Sequence, residues 1–238
     1  MSRLVLPLVV LLIGAVREPP TQAQSNMTPQ AQFDHLVVAI RSLPEGIAEF
    51  ESLTGIKAGV GGKHPGRGTE NALVSLGGGR YVEIIAPQAG ATLSPRDEAM
   101  RQLDHLKVIN WAVSVSDVEE GLKALRAGGF AVQLPQPGSR VTPSGERLEW
   151  TTFGLADPSL PLAPFFIRWS PGTKHPSTTA PGGCTLAGLT VQDAASDRLA
   201  AALNALGVGG VTYAKGPMRI EARLTCGDKS VTLTTPSM

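Results

Sequence analysis

Two strand-like segments each carry an ionisable side chain in apolar surroundings. His35 stands in the run Phe33–Ile40 (FDHLVVAI), and Glu83 stands in the run Tyr81–Pro87 (YVEIIAP). A carboxylate among apolar residues must be paired or must face a cavity, because burying a lone charge is costly. Glu83 is therefore predicted to face a cavity, where a carboxylate can accept a proton from a bound molecule. His35 by itself fits two interpretations: a functional imidazole, or a half-buried strand histidine bonded to a neighbour.

The segment Gly61–Thr69 (GGKHPGRGT) is predicted to be a loop that binds an oxyanion. Its glycines, Gly62 among them, let backbone amides approach a ligand closely, and His64 and Arg67 add hydrogen-bonding and positive groups. The segment lacks the Gly-Lys-Ser/Thr ending of a nucleotide-binding loop, so ATP and GTP are not indicated. Asn71 could orient a substrate oxygen. The alternatives are a flexible surface loop and, for Asn71, the start of a strand.

These residues are positioned by a unit, a strand followed by a helix, that occurs three times along the chain. Each strand leads into a residue that can cap a helix N-terminus, and glycine follows each helix. The predicted caps are Ser42, Asp117 and Asp193, which lie 75 and 76 residues apart. The predicted strands are Phe33–Arg41, Val108–Ser116 and Cys184–Gln192, and the predicted helices are Glu45–Leu53, Val118–Ala127 and Ala194–Leu206. Two or three antiparallel strands are expected after each helix, which gives an α+β fold of repeated modules.

Four segments of the chain resemble the glyoxalase-like branch of the vicinal-oxygen-chelate superfamily. They are Phe33–Ile40, Gly61–Gly77, Tyr81–Pro87 and Pro164–Ser170. The resemblance covers most of the chain from Phe33 to about Trp169, and the third unit less specifically. It implies strand-helix-strand-strand-strand modules whose curved mixed sheets surround a cup. The superfamily includes isomerases, dioxygenases, epimerases, lyases and antibiotic-sequestering proteins, so the fold alone does not fix the reaction.

The same resemblance implies a divalent metal ion held by the first and last strands of each module. His35 and Glu83 occupy these positions in the first module, and His64 could be a third ligand if its loop folds over the cup. The corresponding positions of the other units carry Asn110, Phe166 and Leu186. Two protein ligands would hold a metal weakly, since catalytic sites generally use three. Both one divalent ion (Zn, Fe, Mn or Ni) and no cofactor at all therefore remain open.

The function expected from these residues is that of a small-molecule enzyme, an isomerase or lyase acting on an oxygenated metabolite. Glu83 and His35 would be catalytic, with or without a metal, while His64, Arg67, Gly62 and Asn71 would bind the substrate. The alternative is a protein of the bleomycin-resistance type, which binds and sequesters a small molecule without chemistry. The incomplete ligand set of the second module favours that alternative.

Other candidate residues have simpler interpretations. Trp150 and Trp169 are predicted to be core or interface anchors, which is the common position of large aromatic residues, with pocket lining as the alternative. His105 and His175 lie in polar connections and are predicted to be surface residues. The sequence contains neither a Gly-x-Ser-x-Gly nucleophile motif nor an HExxH zinc motif, which disfavours serine hydrolases and zinc proteases.

The domain organisation predicted from the sequence has three parts. Residues 1–26 read as a signal peptide or as a leader upstream of a true start at Met27, because Arg3 precedes the apolar run Leu4–Val16 and Ala23 ends a plausible cleavage site. Residues 27–170 form a double module, and residues 184–238 form a third unit packed on it. The mature protein is expected to be secreted or periplasmic if the leader is genuine, and otherwise cytoplasmic.

Composition and net charge limit the kinds of partner that this protein is expected to have. The formal net charge is +1, so nucleic acid is not an expected partner. The apolar run of the leader is too short for a membrane span, and no other stretch reaches about 18 apolar residues, so no membrane contact is expected for the mature protein. A homodimer built through the third unit is a possible assembly. Cys184 and Cys226 would pair in an exported protein, or be small buried residues in a cytosolic one.

Overall fold

The computed structural model describes residues 31–236 together with Met1, so the leader predicted at residues 1–26 otherwise lies outside the described residues. The strands within this part are β1 (Ala31–Ala39), β2 (Gly59–His64), β3 (Thr69–Gly77), β4 (Arg80–Pro87), β5 (Lys107–Val115), β6 (Gln136–Val141), β7 (Arg147–Gly154), β8 (Phe165–Trp169), β9 (Cys184–Gln192), β10 (Val211–Ala214), β11 (Arg219–Cys226) and β12 (Lys229–Thr234). The α-helices are α1 (Leu43–Thr54), α2 (Pro95–Glu98), α3 (Val118–Ala127) and α4 (Ser196–Asn204).

The first eight strands form one closed, curved sheet in the order β1-β4-β3-β2-β6-β7-β8-β5. It consists of two four-stranded modules, in each of which the first strand pairs parallel with the last, β1 with β4 and β5 with β8. Antiparallel pairing of β1 with β5 joins the modules at one seam. At the other seam β2 meets β6, where the described pairing is Lys63 with Val141. The predicted α+β fold of curved mixed sheets around a cup is confirmed.

Side chains alternate along the strands of the closed sheet between its outer face, which packs in the hydrophobic core, and its inner face. Leu36, Val38, Val82 and Ile84 are fully buried with Phe50 of α1 in the main hydrophobic core. Each such side chain stabilises the fold by about 1.5–3 kcal/mol relative to an exposed position. Because successive strand residues point to opposite faces, the alternate positions of β1 and β4 face the interior of the closed sheet.

The helix signals are confirmed for α3 and only partly for α1 and α4. The Asp117 carboxylate accepts a hydrogen bond from the Glu120 backbone N–H at 2.9 Å, as predicted for an N-cap. Ser42 makes no side-chain cap bond, and α1 instead has a proline in its first turn and is followed by Gly55, a left-handed residue with φ 78°. Asp193 does not cap α4 directly, since its carboxylate bonds to the Ala195 N–H at 2.7 Å and the helix begins at Ser196.

The third unit differs in topology from the first two modules. Its four strands form a separate sheet in the order β10-β9-β11-β12. Here β9 pairs parallel with β10, the strand that directly follows α4, rather than with the last strand of the unit. Buried residues of this sheet, such as Leu189, belong to the same hydrophobic core as the closed sheet. The division into domains at residues 27–170 and 184–238 stays a prediction.

A disulfide bond joins Cys184 of β9 to Cys226 of β11. The two residues face each other in the strand pairing, so the bridge links neighbouring strands within the separate sheet. The sequence left this pairing open. None of the helices in the described part of the chain has the length and hydrophobicity needed to span a lipid bilayer.

We expect replacement of both cysteines by serine to lower the free energy of unfolding by up to about 4 kcal/mol. The bridge closes a sequence separation of 42 residues, and such a cross-link restricts the unfolded chain by about that amount. Urea unfolding of the double variant measures the change. Wild-type protein treated with a reducing agent is the control and should show the same loss, whereas equal stability of oxidised and reduced protein would contradict a structural role for the bridge.

Candidate active site

The closed sheet surrounds a cavity of about 610 Å³ that opens to solvent. A volume in this range is typical of sites for small molecules. Polar side chains from the first module make one part of its wall, namely His35, His64, Asn71 and Glu83. Aromatic and aliphatic side chains of the second module make much of the rest, including Trp150, Phe165, Ile167 and Trp169. His35 and Glu83 therefore project into one concave space.

Asp34 reaches the imidazole of its neighbour His35 because β1 is irregular at this point. A regular strand places adjacent side chains on opposite faces. The pairing of β1 with β5 shifts between Phe33 and His35, which leaves Asp34 without a partner residue in β5. Such a bulge redirects side chains. The Asp34 Oδ1 atom lies 2.6 Å from His35 Nδ1, and neither side chain is more than slightly exposed.

This contact determines which nitrogen of the His35 imidazole carries the proton. An ionised carboxylate can only accept hydrogen bonds, so His35 Nδ1 carries the hydrogen and donates it to Asp34. The other ring nitrogen, Nε2, is then directed toward Glu83, whose Oε2 atom lies 3.8 Å away. His35 also stacks on Tyr81, with ring centres 4.4 Å apart. A buried carboxylate behind an imidazole fixes the orientation of the ring.

The Asp34 carboxylate has two further donors. Trp169 Nε1 donates to Oδ2 at 3.2 Å, and His175 Nε2 donates to the same oxygen at 3.1 Å. Burial alone would raise the pKa of Asp34, but the hydrogen bonds and charges of His175 and His35 outweigh it and lower the pKa to about 2. Asp34 is therefore ionised at neutral pH.

His175 was expected at the surface, and this prediction is wrong. Its side chain is only 22% exposed and packs edge-on against the rings of Tyr81 and Trp169. The segment after β8 brings it back over the closed sheet to bond Asp34. His105, by contrast, is exposed as predicted, with 75% of its side chain accessible.

Glu83 lies between two imidazoles and an amide. The Asn71 amide donates to Oε1 at 2.7 Å, and His64 Nε2 lies 3.5 Å from the same oxygen. Burial would raise the pKa of Glu83, but the charges of His64 and His35 and the hydrogen bond from Asn71 together lower it. Glu83 is accordingly a carboxylate at neutral pH.

His64 lies at the end of a strand and not on a loop, which corrects the prediction for this segment. Gly59–His64 is β2, and only residues 65–68 form a turn. The His64 Nδ1 atom is 2.9 Å from the Thr69 hydroxyl, and its Nε2 atom is 3.3 Å from the Asn71 amide. Burial lowers the pKa of His64, so its ring is neutral at neutral pH. A strand holds it more rigidly against Glu83 than a flexible loop would.

Arg67 and Gly62 have different positions from those expected. Arg67 lies at the mouth of the cavity with 57% of its side chain exposed, 3.4 Å from the Asp97 carboxylate. Gly62 is not part of the cavity wall. Its backbone has φ 138°, and a Cβ atom there would collide with the Val141 carbonyl of β6. Gly62 therefore permits β2 to approach β6 at the seam, which corrects its predicted role in substrate binding.

The second module offers the cavity no imidazole or carboxylate among the described residues. Asn110 lines the cavity as expected. Phe166, predicted to stand opposite Glu83, is fully buried on the other face, where it stacks on Phe153; Phe165 and Ile167 line the cavity instead. Leu186 belongs to the separate sheet and does not reach the cavity. The predicted positions on the first strands, His35 and Asn110, both line the cavity. Of the predicted positions on the last strands, Glu83 lines it and Phe166 does not.

Three residues of the wall, and Asp34 behind His35, were missed or misjudged from the sequence. Trp150 and Trp169 line the cavity, with ring centres 5.4 Å apart, and are not only core anchors. Asp34 had one available signal, since an acid directly beside a histidine in an apolar strand is an expensive pairing to bury. Arg140 had none, because its segment (QPGSRV) reads as a polar, turn-rich connection.

The sequence matches the family described as a glyoxalase-like domain over residues 33–207. The chain belongs to this family. The glyoxalase-like family is a branch of the vicinal-oxygen-chelate superfamily, so the resemblance found in the sequence is confirmed. The matched span includes both modules of the closed sheet and extends into the third unit through α4.

Solved structures with a similar fold include a hypothetical protein from Staphylococcus aureus. It is 15% identical, and the match covers 86% of this chain and 85% of that chain with a TM-score of 0.57. Methylmalonyl-CoA epimerase from Mycobacterium tuberculosis is 17% identical over 58% of this chain and 88% of its own, with a TM-score of 0.42. The first likeness shows the fold alone. A comparison with curated proteins gives no significant match.

Members of the vicinal-oxygen-chelate superfamily often use a divalent metal ion, and imidazole and carboxylate groups are suitable ligands for one. Within the described residues of this glyoxalase-like chain, however, no three His, Cys, Asp or Glu side chains are arranged to hold a metal ion. Glu83 directs Oε1 toward His64 and Oε2 toward His35, so the two imidazoles approach different oxygens. These side chains therefore do not form one coordination shell.

We expect Asp34→Asn to change the acid dependence of stability. The pKa of Asp34 falls from 3.8 to about 2 on folding, so its stabilisation is complete above about pH 4 and is lost as the pH falls through 2. The stability difference between wild type and variant should therefore shrink by about 2 kcal/mol between pH 5 and pH 2. Urea unfolding across this range measures it. The exposed variant Asp104→Asn is the control, and a pH-independent difference for Asp34→Asn would contradict an ionised Asp34.

Proposed function

We propose that this glyoxalase-like protein is a small-molecule enzyme, an isomerase or lyase that moves a proton beside a carbonyl group of an oxygenated metabolite. The observation that carries the proposal is the line of contacts from Asp34 through His35 to Glu83, which ends in the cavity. Paired acid and base groups of this kind, held within reach of a bound molecule, are what proton transfer requires.

Glu83 is the proposed base. Its lowered pKa keeps it ionised at neutral pH, and Asn71 holds Oε1 by a hydrogen bond of 2.7 Å. The Oε2 atom is free of hydrogen bonds among the described residues and faces His35 across a gap of 3.8 Å. A substrate C–H group next to a carbonyl can lose its proton to Oε2, which leaves the electron pair on the carbonyl oxygen as an enolate.

His35 is the proposed proton donor to that oxygen. In its protonated form it donates Nδ1–H to Asp34 and presents Nε2–H to the cavity. Transfer of the Nε2 proton to the enolate oxygen gives an enol and a neutral imidazole. For a 2-hydroxy carbonyl substrate, Glu83 then returns its proton to the former carbonyl carbon while the neutral imidazole takes the hydroxyl proton of the carbon that was deprotonated, which completes an isomerisation and restores both groups. In a lyase reaction the imidazole takes back the enol proton, and a leaving group departs with the proton from Glu83 from the carbon on the other side of the deprotonated one.

Tyr81 supports the developing negative charge. Burial and the charges of Asp34 and Glu83 raise the pKa of Tyr81 well above its ordinary value. Its hydroxyl therefore keeps its proton and can donate a hydrogen bond to an oxyanion. The ring stacks on His35 and lines the cavity, which places the phenol beside the proposed acid.

The second candidate is a protein that binds and sequesters a small molecule. The apolar wall of the second module favours it, because Phe165, Ile167 and Trp150 provide surface for a ligand and no group for chemistry. Ligand binding without proton exchange would support this function over the enzyme.

Glu83→Gln and His35→Gln are each expected to slow proton exchange by about 100-fold or more, since a positioned acid or base contributes roughly that factor. The assay follows deuterium uptake at the carbon next to the carbonyl by NMR in D₂O, across a panel of 2-hydroxy ketones, 2-oxo acids and 2-hydroxy aldehydes. Each variant removes one ionisable group and keeps a similar size.

His105→Gln is the matched control and should exchange at the wild-type rate, because its side chain is exposed and remote from the cavity. Thermal unfolding establishes that each variant is folded. Wild-type exchange in Glu83→Gln would eliminate Glu83 as the base, and a wild-type protein inactive on the whole panel would count against proton-transfer chemistry.

We expect proton exchange to continue at the same rate after metal ions have been removed. The two oxygens of Glu83 face different imidazoles, so the proposed acid and base need no ion between them. Rates measured after dialysis against a chelator, and again after addition of Zn²⁺, Mn²⁺, Fe²⁺ or Ni²⁺, should agree within experimental error. Loss of exchange on chelation and its recovery with one ion would show that a metal takes part after all.

We propose that this protein is exported from the cytoplasm. The bond between Cys184 and Cys226 supports it, because such bridges persist in oxidising compartments. The predicted leader at residues 1–26 is consistent with the same location and lies outside the described residues except for Met1.

A further inference from the structure

We propose that Arg140 binds a carboxylate group of the ligand, so that the natural ligand of the cavity is a carboxylic acid in its monoanionic form. This inference rests on the proposed function only in taking the cavity as the ligand site. Arg140 lies on β6, in the second module, and had no functional signal in the sequence.

Arg140 is the buried arginine of the described residues, with 3% of its surface exposed. It lines the main cavity. The charge of Glu83 acts on its guanidinium group, and the guanidinium acts in turn on His64. The positive charge is therefore on the side of the cavity where the proposed acid and base lie.

The charge of Arg140 has no acidic partner. Exposed arginines such as Arg41, Arg147 and Arg198 each have a carboxylate within ion-pair distance. No such pair is found for Arg140 in the described part of the chain, where its one hydrogen bond goes to the Gly61 carbonyl. Buried arginines are normally paired, because leaving the charge alone in a low dielectric is unfavourable. Burial accordingly lowers the pKa of Arg140.

The free donors of Arg140 fit a carboxylate. A guanidinium group has five N–H donors in a planar fork, and the bond to Gly61 uses one of them. The fork matches the two oxygens of a carboxylate, which a bidentate pair can bind with strong, directional hydrogen bonds.

The carboxylate of Glu83 limits the negative charge that the ligand can carry. Glu83 is ionised and lines the same cavity as Arg140. A monoanion is tolerated beside Glu83 more readily than a dianion such as phosphate, since repulsion grows with charge at short range. The rings of Trp150, Phe165 and Trp169 would contact the apolar part of such a ligand.

The test uses a matched pair of probes, 3-phenylpropionate and its neutral amide, with inorganic phosphate as a third. Their binding to the full chain is measured by isothermal titration calorimetry. Wild-type protein should bind the carboxylate at least tenfold more tightly than the amide or phosphate. Arg140→Met should abolish this preference while leaving amide binding within about twofold, and Arg140→Lys should retain only part of it because it loses the planar fork.

Arg147→Met is the control, because Arg147 is an exposed arginine on the neighbouring strand that pairs with Glu149. It should bind both probes as the wild type does. Absence of a carboxylate preference in the wild type would overturn the inference without any variant. Retention of the full preference in a folded Arg140→Met or Arg140→Lys variant would overturn it as well, as would tighter binding of phosphate.

The two proposals fail in distinguishable ways. Carboxylate binding that depends on Arg140, without proton exchange on the panel, would leave this inference intact and count against the proposed proton-transfer chemistry. Proton exchange that depends on Glu83, with carboxylate binding indifferent to Arg140, would do the reverse.

Discussion

The buried carboxylate of Asp34 is the group on which the arrangement of the cavity depends. It accepts hydrogen bonds from His35, Trp169 and His175, which come from the first strand, the last strand of the second module and the segment beyond it. A buried charge is stable only with such partners. The bonds from Trp169 and His175 therefore link β1 to the second module and to the segment after it, while the bond from His35 directs one nitrogen of that ring into the cavity.

The two modules share a topology but make unlike walls. The first supplies His35, His64 and Glu83, whose mutual contacts suit proton transfer, while the second supplies aromatic rings and the single cation Arg140. A cavity with a reactive side and a binding side can hold a molecule by one end and react at the other. Fold similarity to other glyoxalase-like proteins does not determine this division, because it depends on the side chains alone.

Regular spacing predicted the elements of the chain well and their partners less well. The positions Ser42, Asp117 and Asp193 each stand where a strand meets a helix, as their residue types indicate. Nevertheless β9 pairs with β10, whereas β1 pairs with β4, because spacing sets the lengths of elements and not which distant strand lies beside them. Strands β2, β6 and β10 were missed, since glycine and proline weaken the strand signal and pairing with neighbours outweighs it.

Local alternation and residue type were enough to predict the main strands and helices and to predict that His35 and Glu83 face a cavity. The family and its curved α+β sheets followed from the resemblance of four segments. Other features of the cavity arose only when distant parts of the chain came together. A bulge in β1 turned Asp34 toward His35, chain return brought His175 to the same carboxylate, and closure of β2 against β6 buried Arg140. Each of these depends on residues distant along the chain, whose approach no local pattern encodes.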